Sequence, residues 1–433
     1  MRMPAEPVTE PKSTGWLPAL GLILLCGAVL RLIWVGDMEY KADERWFFEQ
    51  TQSETRDSFF PWLGLPSSTF ALNPGTVSWP FVVLGWLTGA TEPTQLARAV
   101  QVVNVLALLA LAYFALRVVP AAEREPWLWA VALLAVNPIT VLMHRKIWNV
   151  SVLLPLTVPV LIGWWYRRHR FGAFTWGLAS LAVAAVYPPG IWFAIGLALW
   201  TALFDRKSVA WLDWAIGSSL GAAPLLPWVG YMMEYTSRIP LAGRGVNNLG
   251  SLPFYRYWPT EPFGISLHYS LKSDFWEYLR GPHWYGMPNY LVGALHVAML
   301  GLMVAIILGW LGWFFRERRA LAPLFFGNDT QTGLLQSSYL WAGGLLATLT
   351  LMPFHRHGMQ LVAPLMCLWV ARLALRSQAI GRGLLVALVA VQLGISASFL
   401  GYIHTHNGPI RGDYGLPYSQ QVALENHTQE KTR

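Results

Sequence analysis

Residues 31–52 read RLIWVGDMEYKADERWFFEQTQ. This stretch decides the fold, because here the first long apolar run, Trp16 to Gly36, gives way to polar chain. About 20 apolar residues cross a bilayer as helix, so that run is long enough to span one. Just past its end come Asp43 and Glu44, then Arg45, Trp46 and Phe47. Acids favour the first turn of a helix, and Lys41 to Arg56 is predicted as a surface helix. Pro61, Pro66 and Pro74 then break the chain ahead of Val77 to Gly89, an apolar run with Pro80 inside it. That run is too short to cross, so it is predicted as an interfacial or re-entrant helix on the same side as the loop.

The rest of the chain repeats this alternation. Of 433 residues, 55% are apolar and only 12% charged, with a mean hydropathy of +0.40, a balance that excludes a water-soluble domain. The 24 tryptophans suit anchoring at membrane interfaces. A net charge of +8 would suggest nucleic acid in a soluble protein, but the basic residues lie in short connectors between apolar runs, as topology determinants do. No nucleic-acid partner is expected. Cys26 and Cys367 lie inside apolar runs and support neither a disulfide framework nor a metal cluster. Met1 to Gly15 precedes an apolar run that lacks a small-residue cleavage site, which predicts an uncleaved signal anchor.

The predicted fold is therefore all-α and polytopic. Its eleven transmembrane helices are Trp16–Gly36, Leu96–Val118, Trp127–Met143, Val150–Tyr166, Phe174–Val186, Gly190–Phe204, Trp211–Met233, Tyr290–Phe315, Leu334–Met352, Met359–Leu375 and Leu384–Ile403. With the N-terminus inside, the cytoplasmic connectors are Arg117–Glu125, Tyr166–Arg170, Phe204–Lys207, Arg316–Arg319 and Arg376–Arg382, and every one is basic. The outer face then receives Met38–Glu92, the HRKIWN turn (His144–Asn149), the YPPG break (Tyr187–Gly190), the loop Glu234–Asn289, the HRH turn (His355–His357) and the tail after Ile403. Nearly every unusual polar residue falls on that side. Gly217 and Gly221 read as helix-packing contacts.

Four motifs stand in this order: RLIW…ADERWFFE (31–49), NPGTVSWPFVVLGWLTGATEPTQLARAV (73–100), NPITVLMHRKIWNVSVLLPL (137–156) and LAVAAVYPPGIWF (181–193). Set in this hydropathy pattern, they resemble the GT-C type membrane glycosyltransferases, most closely the branch that includes the bacterial aminoarabinose transferase and the protein O-mannosyltransferases. The resemblance covers roughly the first 230 residues. It implies a multi-pass protein of the cell (inner) membrane, part of the cell-envelope machinery, whose active site faces the periplasm or exterior. There it takes a sugar from a polyprenyl-phosphate carrier, with inversion, and gives it to a lipid, glycan or protein acceptor. Asp43 falls on the family's catalytic acidic position with Glu44 beside it, and Arg98 on an arginine that opens the next span. The chain departs from the pattern at Asn73, where the aminoarabinose enzyme has lysine, at Asn149, where a second acid is usual, and at Pro189, which replaces a lysine. The organisation it implies is a catalytic membrane module over 1–235 with a first outer loop at 37–94, an aromatic-rich outer loop at 236–289, further transmembrane helices at 290–403 and an outer-face tail at 404–433.

Transfer from a lipid phosphate needs one base for the acceptor hydroxyl and cations for the departing phosphate. Asp43 is the candidate base, with Glu44 orienting it or touching the sugar; the competing reading makes both acids helix caps. The candidate phosphate and substrate contacts are Arg31, Arg98, His144, Arg145, Lys146, Asn149, Tyr187, Arg356 and His357. Arg31 equally fits a residue that snorkels to the headgroups, His144–Lys146 a lipid-headgroup site, and His355–His357 a solvated turn. Membrane lipids are partners in either case. His355-x-His357 and His404-x-His406 offer metal ligands, but no carboxylate stands at fixed spacing, so no cofactor is expected and a divalent metal is not favoured. Phe254, Tyr255, Tyr257, Trp258, Trp276, Trp284 and Tyr285 make Glu234–Asn289 a lid or acceptor platform. Asp413 and Tyr414 mark an ordered turn over the cavity or a frayed terminus. Two other classes remain open: a transporter or flippase of lipid-linked sugars, and a non-catalytic scaffold subunit.

Overall fold

The computed structural model describes residues 16–52, 60–66, 71–238, 249–317, 329–349, 354–409 and 412–432. Helix α1 (Trp16–Leu32) ends in a 3-10 turn at Val35–Asp37 and is followed by α2 (Ala42–Glu49). The antiparallel pair β1 (Leu63–Pro66) and β2 (Leu72–Pro74) leads to α3 (Trp79–Thr88) and α4 (Pro93–Arg117). Then come α5 (Ala121–Val136), α6 (Pro138–Met143), α7 (Leu153–Trp165), α8 (Arg170–Val186), α9 (Gly190–Asp205), α10 (Trp211–Ala222) and α11 (Leu226–Arg238). The aromatic-rich loop folds into α12 (Leu252–Thr260), α13 (His268–Leu271), α14 (Phe275–Arg280) and the hairpin β3 (His283–Trp284) and β4 (Met287–Pro288). The last part holds α15 (Leu291–Glu317), α16 (Gln331–Leu335), a π-helical stretch at Gln336–Ala342, α17 (Gly343–Thr348), a 3-10 run at Arg356–Val362, α18 (Ala363–Leu375), α19 (Gln378–His406) and α20 (Tyr418–Thr432).

Each predicted span falls on helix, the end of Leu334–Met352 lying outside the described residues. Among the described residues four helical segments, Pro93–Arg117, Leu291–Phe315, Arg356–Leu375 and Ala379–His406, are long and apolar enough to cross a membrane. Leu17–Leu32, Trp79–Thr88, Asn149–Trp165 and Arg170–Val186 are apolar but shorter. The predicted interfacial run is α3, which has 10 residues. At about 1.5 Å per residue it reaches only half of a hydrocarbon core about 30 Å thick. It buries Phe81, Val82 and Gly85 and leaves Trp86 and Leu87 exposed. The predicted surface helix is shorter than expected and ends at Glu49.

The break between α5 and α6 shows how sequence sets the core. Asn137 precedes Pro138, and that position disfavours helical backbone. Its Oδ1 accepts the amides of Ile139 at 3.1 Å and Thr140 at 3.0 Å, starting α6 afresh. Pro138 has no N–H for the carbonyl of Leu134, and the amide that would have served Ala135 is the one turned to Asn137. Arg31 answers both: it donates to Ala135 O at 2.6 Å and Leu134 O at 3.1 Å. Elsewhere α8 and α10 meet backbone to backbone. A Cβ at Gly177, Gly217 or Gly221 would run into the carbonyls of Trp214, Phe174 and Leu178 respectively, so the glycine spacing is a packing device.

The connectors collect at two ends of the bundle, as their charges predict. At one end Arg167 pairs with Asp205, Ala210 N donates to Arg167 O at 3.0 Å, and Arg382 clasps Glu125 at 2.7 and 2.9 Å. At the other end lie the first loop, the 144–149 turn, Tyr187, the 355–357 turn and the tail. Trp148 meets His357 with ring centroids 4.6 Å apart, and Trp34 stacks on His404 at 4.2 Å. The tail folds back here: Tyr418 N donates to Met38 O at 3.1 Å, Gln421 to Tyr40 O at 2.5 Å, and Glu39 forms a bridge with Pro417.

Candidate functional site

At this second end lies a cavity of about 270 Å³ whose wall includes Glu39, Lys41, Lys146, Trp148, Tyr257, Tyr269, His355, Arg356, His357 and Asp413. Glu39 is buried and takes two cations, Lys146 at 2.9 Å and Lys41 at 2.5 Å. Lys146 also reaches Glu44 at 3.4 Å and lies 4.1 Å over the ring of Trp148. Burial pushes the Lys146 ammonium down, but the two carboxylates outweigh it and its pKa is raised. Glu39 takes the hydrogen bond from that ammonium, while Glu44, at the longer distance, is left to burial, which pushes its pKa up. Its other oxygen accepts the Lys41 amide at 3.0 Å, capping α2.

Across the cavity, Arg356 gives one N–H to Ser266 O at 2.6 Å and lies 4.8 Å over the ring of Tyr269. The rest of its guanidinium fork has no hydrogen-bond partner among the described residues. His357 is half-buried, with its ring centroid 5.3 Å from that of His355. Asp413 closes the rim: its backbone O accepts Lys41, and its carboxylate meets Lys272 at 2.6 Å.

The structure divides the predicted residues. Lys146, Arg356 and His357 line the cavity, with Tyr187 behind His357 at a centroid distance of 6.4 Å. Asp43 does not line it. The buried face of α2 carries Glu44 and Phe47, one turn apart, and Asp43 falls on the other side, exposed. Arg31, Arg98 and Arg145 donate to helix ends. Arg145 donates to Leu30 O at 2.7 Å, Arg31 O at 3.1 Å and Trp34 O at 3.0 Å, covering the last carbonyls of α1, and Arg98 donates to Leu32 O. His144 accepts from Arg31 at 3.1 Å, and Asn149 donates to Val186 O at 3.3 Å. Each of these five makes a contact within the scaffold.

Sequence reasoning missed Glu39 and Lys41. The signal was available: alternate residues of extended chain point to one side, and Glu39-x-Lys41 precedes the helix start. For His355 the sequence offers a metal pair or a solvated turn, and the structure places it in the cavity wall. Asp413 was left between an ordered turn and a frayed end, and Tyr414, buried beside it, decides for the ordered turn. Among the described residues, no group of three or more His, Cys, Asp or Glu is placed to hold a metal ion.

A second concavity, apolar and of about 570 Å³, is lined by Leu199, Trp200 and Leu203 of α9, by Phe254, Tyr255 and Trp258 of α12 and by Trp341, Leu345 and Leu346. It holds no titratable group that could do chemistry, but α12 joins it to the charged cavity, since Tyr257 faces the cavity and its neighbour Trp258 the groove.

No family model matches the chain, and no curated protein matches it. Among solved structures it is similar to ArnT from Cupriavidus metallidurans bound to undecaprenyl phosphate, at 16% identity over 90% of this chain and 77% of that one, with a TM-score of 0.44. It is also similar to the Archaeoglobus fulgidus oligosaccharyltransferase in its apo form, at 14% identity over 94% of this chain, with a TM-score of 0.46. The same enzyme tethered to an acceptor peptide with the NVT sequon gives 14% identity, 92% coverage and a TM-score of 0.43. This chain spans 56% of the oligosaccharyltransferase's length. With TM-scores under 0.5, neither substrate nor mechanism follows from these likenesses.

Proposed function

We propose that this chain is an integral membrane glycosyltransferase of eleven crossings that moves a sugar from a polyprenyl-phosphate carrier to an acceptor on the outer face of the membrane. The observation that carries this is the charged cavity: a buried carboxylate, Glu39, and a cation with unspent donors, Arg356, line one small chamber. The apolar groove joined to it by α12 suits the isoprenoid chain of the carrier, with its phosphate toward Arg356.

In the transfer, the acceptor oxygen attacks the anomeric carbon from the side opposite the phosphate. The bond between that carbon and the phosphate oxygen breaks, the lipid phosphate leaves with the electron pair, and the configuration inverts. Glu39 receives the acceptor proton. Asp43, the base predicted from sequence, gives way to it because a base must come within hydrogen-bond reach of the proton it removes. Arg356 holds the charge that develops on the leaving phosphate, where a fixed cation in a dry site counts for more than in water. Lys146 and Lys41 hold Glu39 in place by two ion pairs, and His357 is a hydrogen-bonding wall for sugar or phosphate. No metal is needed in this scheme.

The test is sugar transfer by the purified protein from a panel of polyprenyl-phosphate sugars, with and without chelator. The expected result is glycosylated acceptor and free lipid phosphate in equal amounts, unaffected by chelator. Donor binding without turnover for every sugar would leave a scaffold subunit. Movement of intact donor between leaflets without cleavage would leave a flippase.

A further inference from the structure

The end of the bundle opposite the cavity carries a depression of about 400 Å³ lined by Arg168, Lys207, Ser208, Val209 and Ala210. Five cations stand in the two connectors that form it: Arg167, Arg168 and Arg170 in one, Arg206 and Lys207 in the other. Two acids are at hand, and both are committed. Asp205 pairs with buried Arg167, and Asp213 pairs with Arg170 at 3.1 Å. Arg168, Arg206 and Lys207 are exposed and have no acid partner among the described residues.

The connectors are fastened together beneath these cations. Arg167 packs 3.8 Å over the ring of Trp164 and donates to Trp164 O at 3.0 Å, and its own carbonyl accepts Ala210 N. The depression therefore has a rigid floor and a charged rim. Immediately beside the cations, Phe171 is 80% exposed, Leu203 72% and Leu212 72%. Large apolar side chains bare to this extent at the ends of apolar helices lie in the membrane, so the rim sits where headgroups lie.

We propose that Arg168 and Lys207, over the floor formed by residues 208–210, bind the headgroup phosphate of an anionic phospholipid. The acyl chains run down past Phe171 and Leu212. The site is independent of the sugar-transfer reading, since it lies at the other end of the molecule and shares no residue with the cavity.

The test is native mass spectrometry of the delipidated full-length protein titrated with phosphatidylglycerol or phosphatidylcholine, for the wild type and for Arg168→Gln/Lys207→Gln. A cation near a membrane surface contributes roughly fivefold in affinity, so the double variant is expected to hold phosphatidylglycerol about 20-fold more weakly. Its thermal midpoint without lipid should match the wild type, because the Arg167–Asp205 clamp is intact. Equal retention of the two lipids by the wild type, or undiminished phosphatidylglycerol binding by the double variant, overturns the proposal. A third arm adds millimolar inorganic phosphate; full displacement of the lipid by it would make free phosphate the ligand and overturn the lipid assignment.

Discussion

Arg145 and Lys146 are adjacent in sequence and both buried, yet they do different work. Arg145, like Arg31 and Arg98, donates to main-chain carbonyls at a helix end, whereas Lys146 turns to two carboxylates and lines a cavity. The difference follows from what each side chain meets. Helix ends in apolar surroundings leave carbonyls unpaired, and each costs about 1–3 kcal/mol if nothing reaches it. A planar guanidinium with five donors serves several carbonyls at once, while an ammonium behaves as a point charge. In a membrane bundle, an arginine near a span end is therefore first a candidate cap. A cation that lines the cavity with donors left over, as Arg356 does, is a candidate for a ligand.

Two substitutions test the cavity side of this comparison most sharply. Glu39→Gln keeps the shape of the side chain and removes the base, so sugar transfer is expected to fall about 10²–10⁴-fold with donor binding retained. Single-turnover rates beside donor affinity separate the two. Arg356→Gln removes the cation opposite, and a loss of about 10²-fold in kcat is expected, partly restored by Arg356→Lys. A variant of Arg356 with normal turnover would return that residue to the scaffold.

The layout of helices was legible because apolar runs and basic connectors are long-range signals, and the two ends of the bundle gather the loops that those charges assigned to them. The arginines were not legible as caps. Nothing local to Arg31 reveals that Pro138, more than a hundred residues on, will strip a carbonyl of its donor and bring it within reach. Nor does the Asp43-Glu44 pair reveal which member points inward, since that depends on the rotation of α2, fixed by Phe47 packing against Phe81 with centroids 5.0 Å apart. Lys146 stood among the candidate contacts, but nothing local to it reveals its carboxylate partner Glu39, 107 residues away.

On the cap side, Arg31→Met leaves the carbonyls of Leu134 and Ala135 unpaired in the core. Destabilisation of about 3 kcal/mol is expected, read as a lower midpoint in thermal or denaturant unfolding in detergent. Glu39→Gln, which leaves Lys146 paired with Glu44, should lower that midpoint by less, and a reversal of the two effects would break the division between caps and cavity.

Glu261 extends the contrast to acids. It is buried, its Oε1 accepts from Ser266, and its Oε2 has no hydrogen-bond partner among the described residues. Burial pushes its pKa up to about 7, against weaker opposing effects of Ser266, Arg356 and Arg256. The folded protein therefore binds this proton more tightly than the unfolded chain, whose carboxyl titrates near the ordinary value. Stability should fall as pH rises from about 4.5 to about 7 and level off above. Glu261→Gln should remove that slope and raise the midpoint at pH 8 by an amount worth about 1–3 kcal/mol. An unchanged slope in the variant would assign the pH dependence to another group.

Asp43→Asn carries the smallest expected effect and the sharpest consequence. Asp43 is exposed in the first turn of α2, where a carboxylate near the helix N-terminus contributes about 0.3–1 kcal/mol through the dipole. Asparagine keeps the polarity and loses only that charge, so stability should drop by less than 1 kcal/mol and sugar transfer should stay within about threefold of the wild type. Glu44→Gln is the companion, because Glu44 faces the other way and shares Lys146 with Glu39. That change should disturb the ion cluster and lower both stability and turnover. If Asp43→Asn instead loses transfer by two orders of magnitude with its fold intact, the base lies on the exposed side of α2. The chamber between Glu39 and Arg356 would then be a charged joint between the first loop and the 355–357 turn.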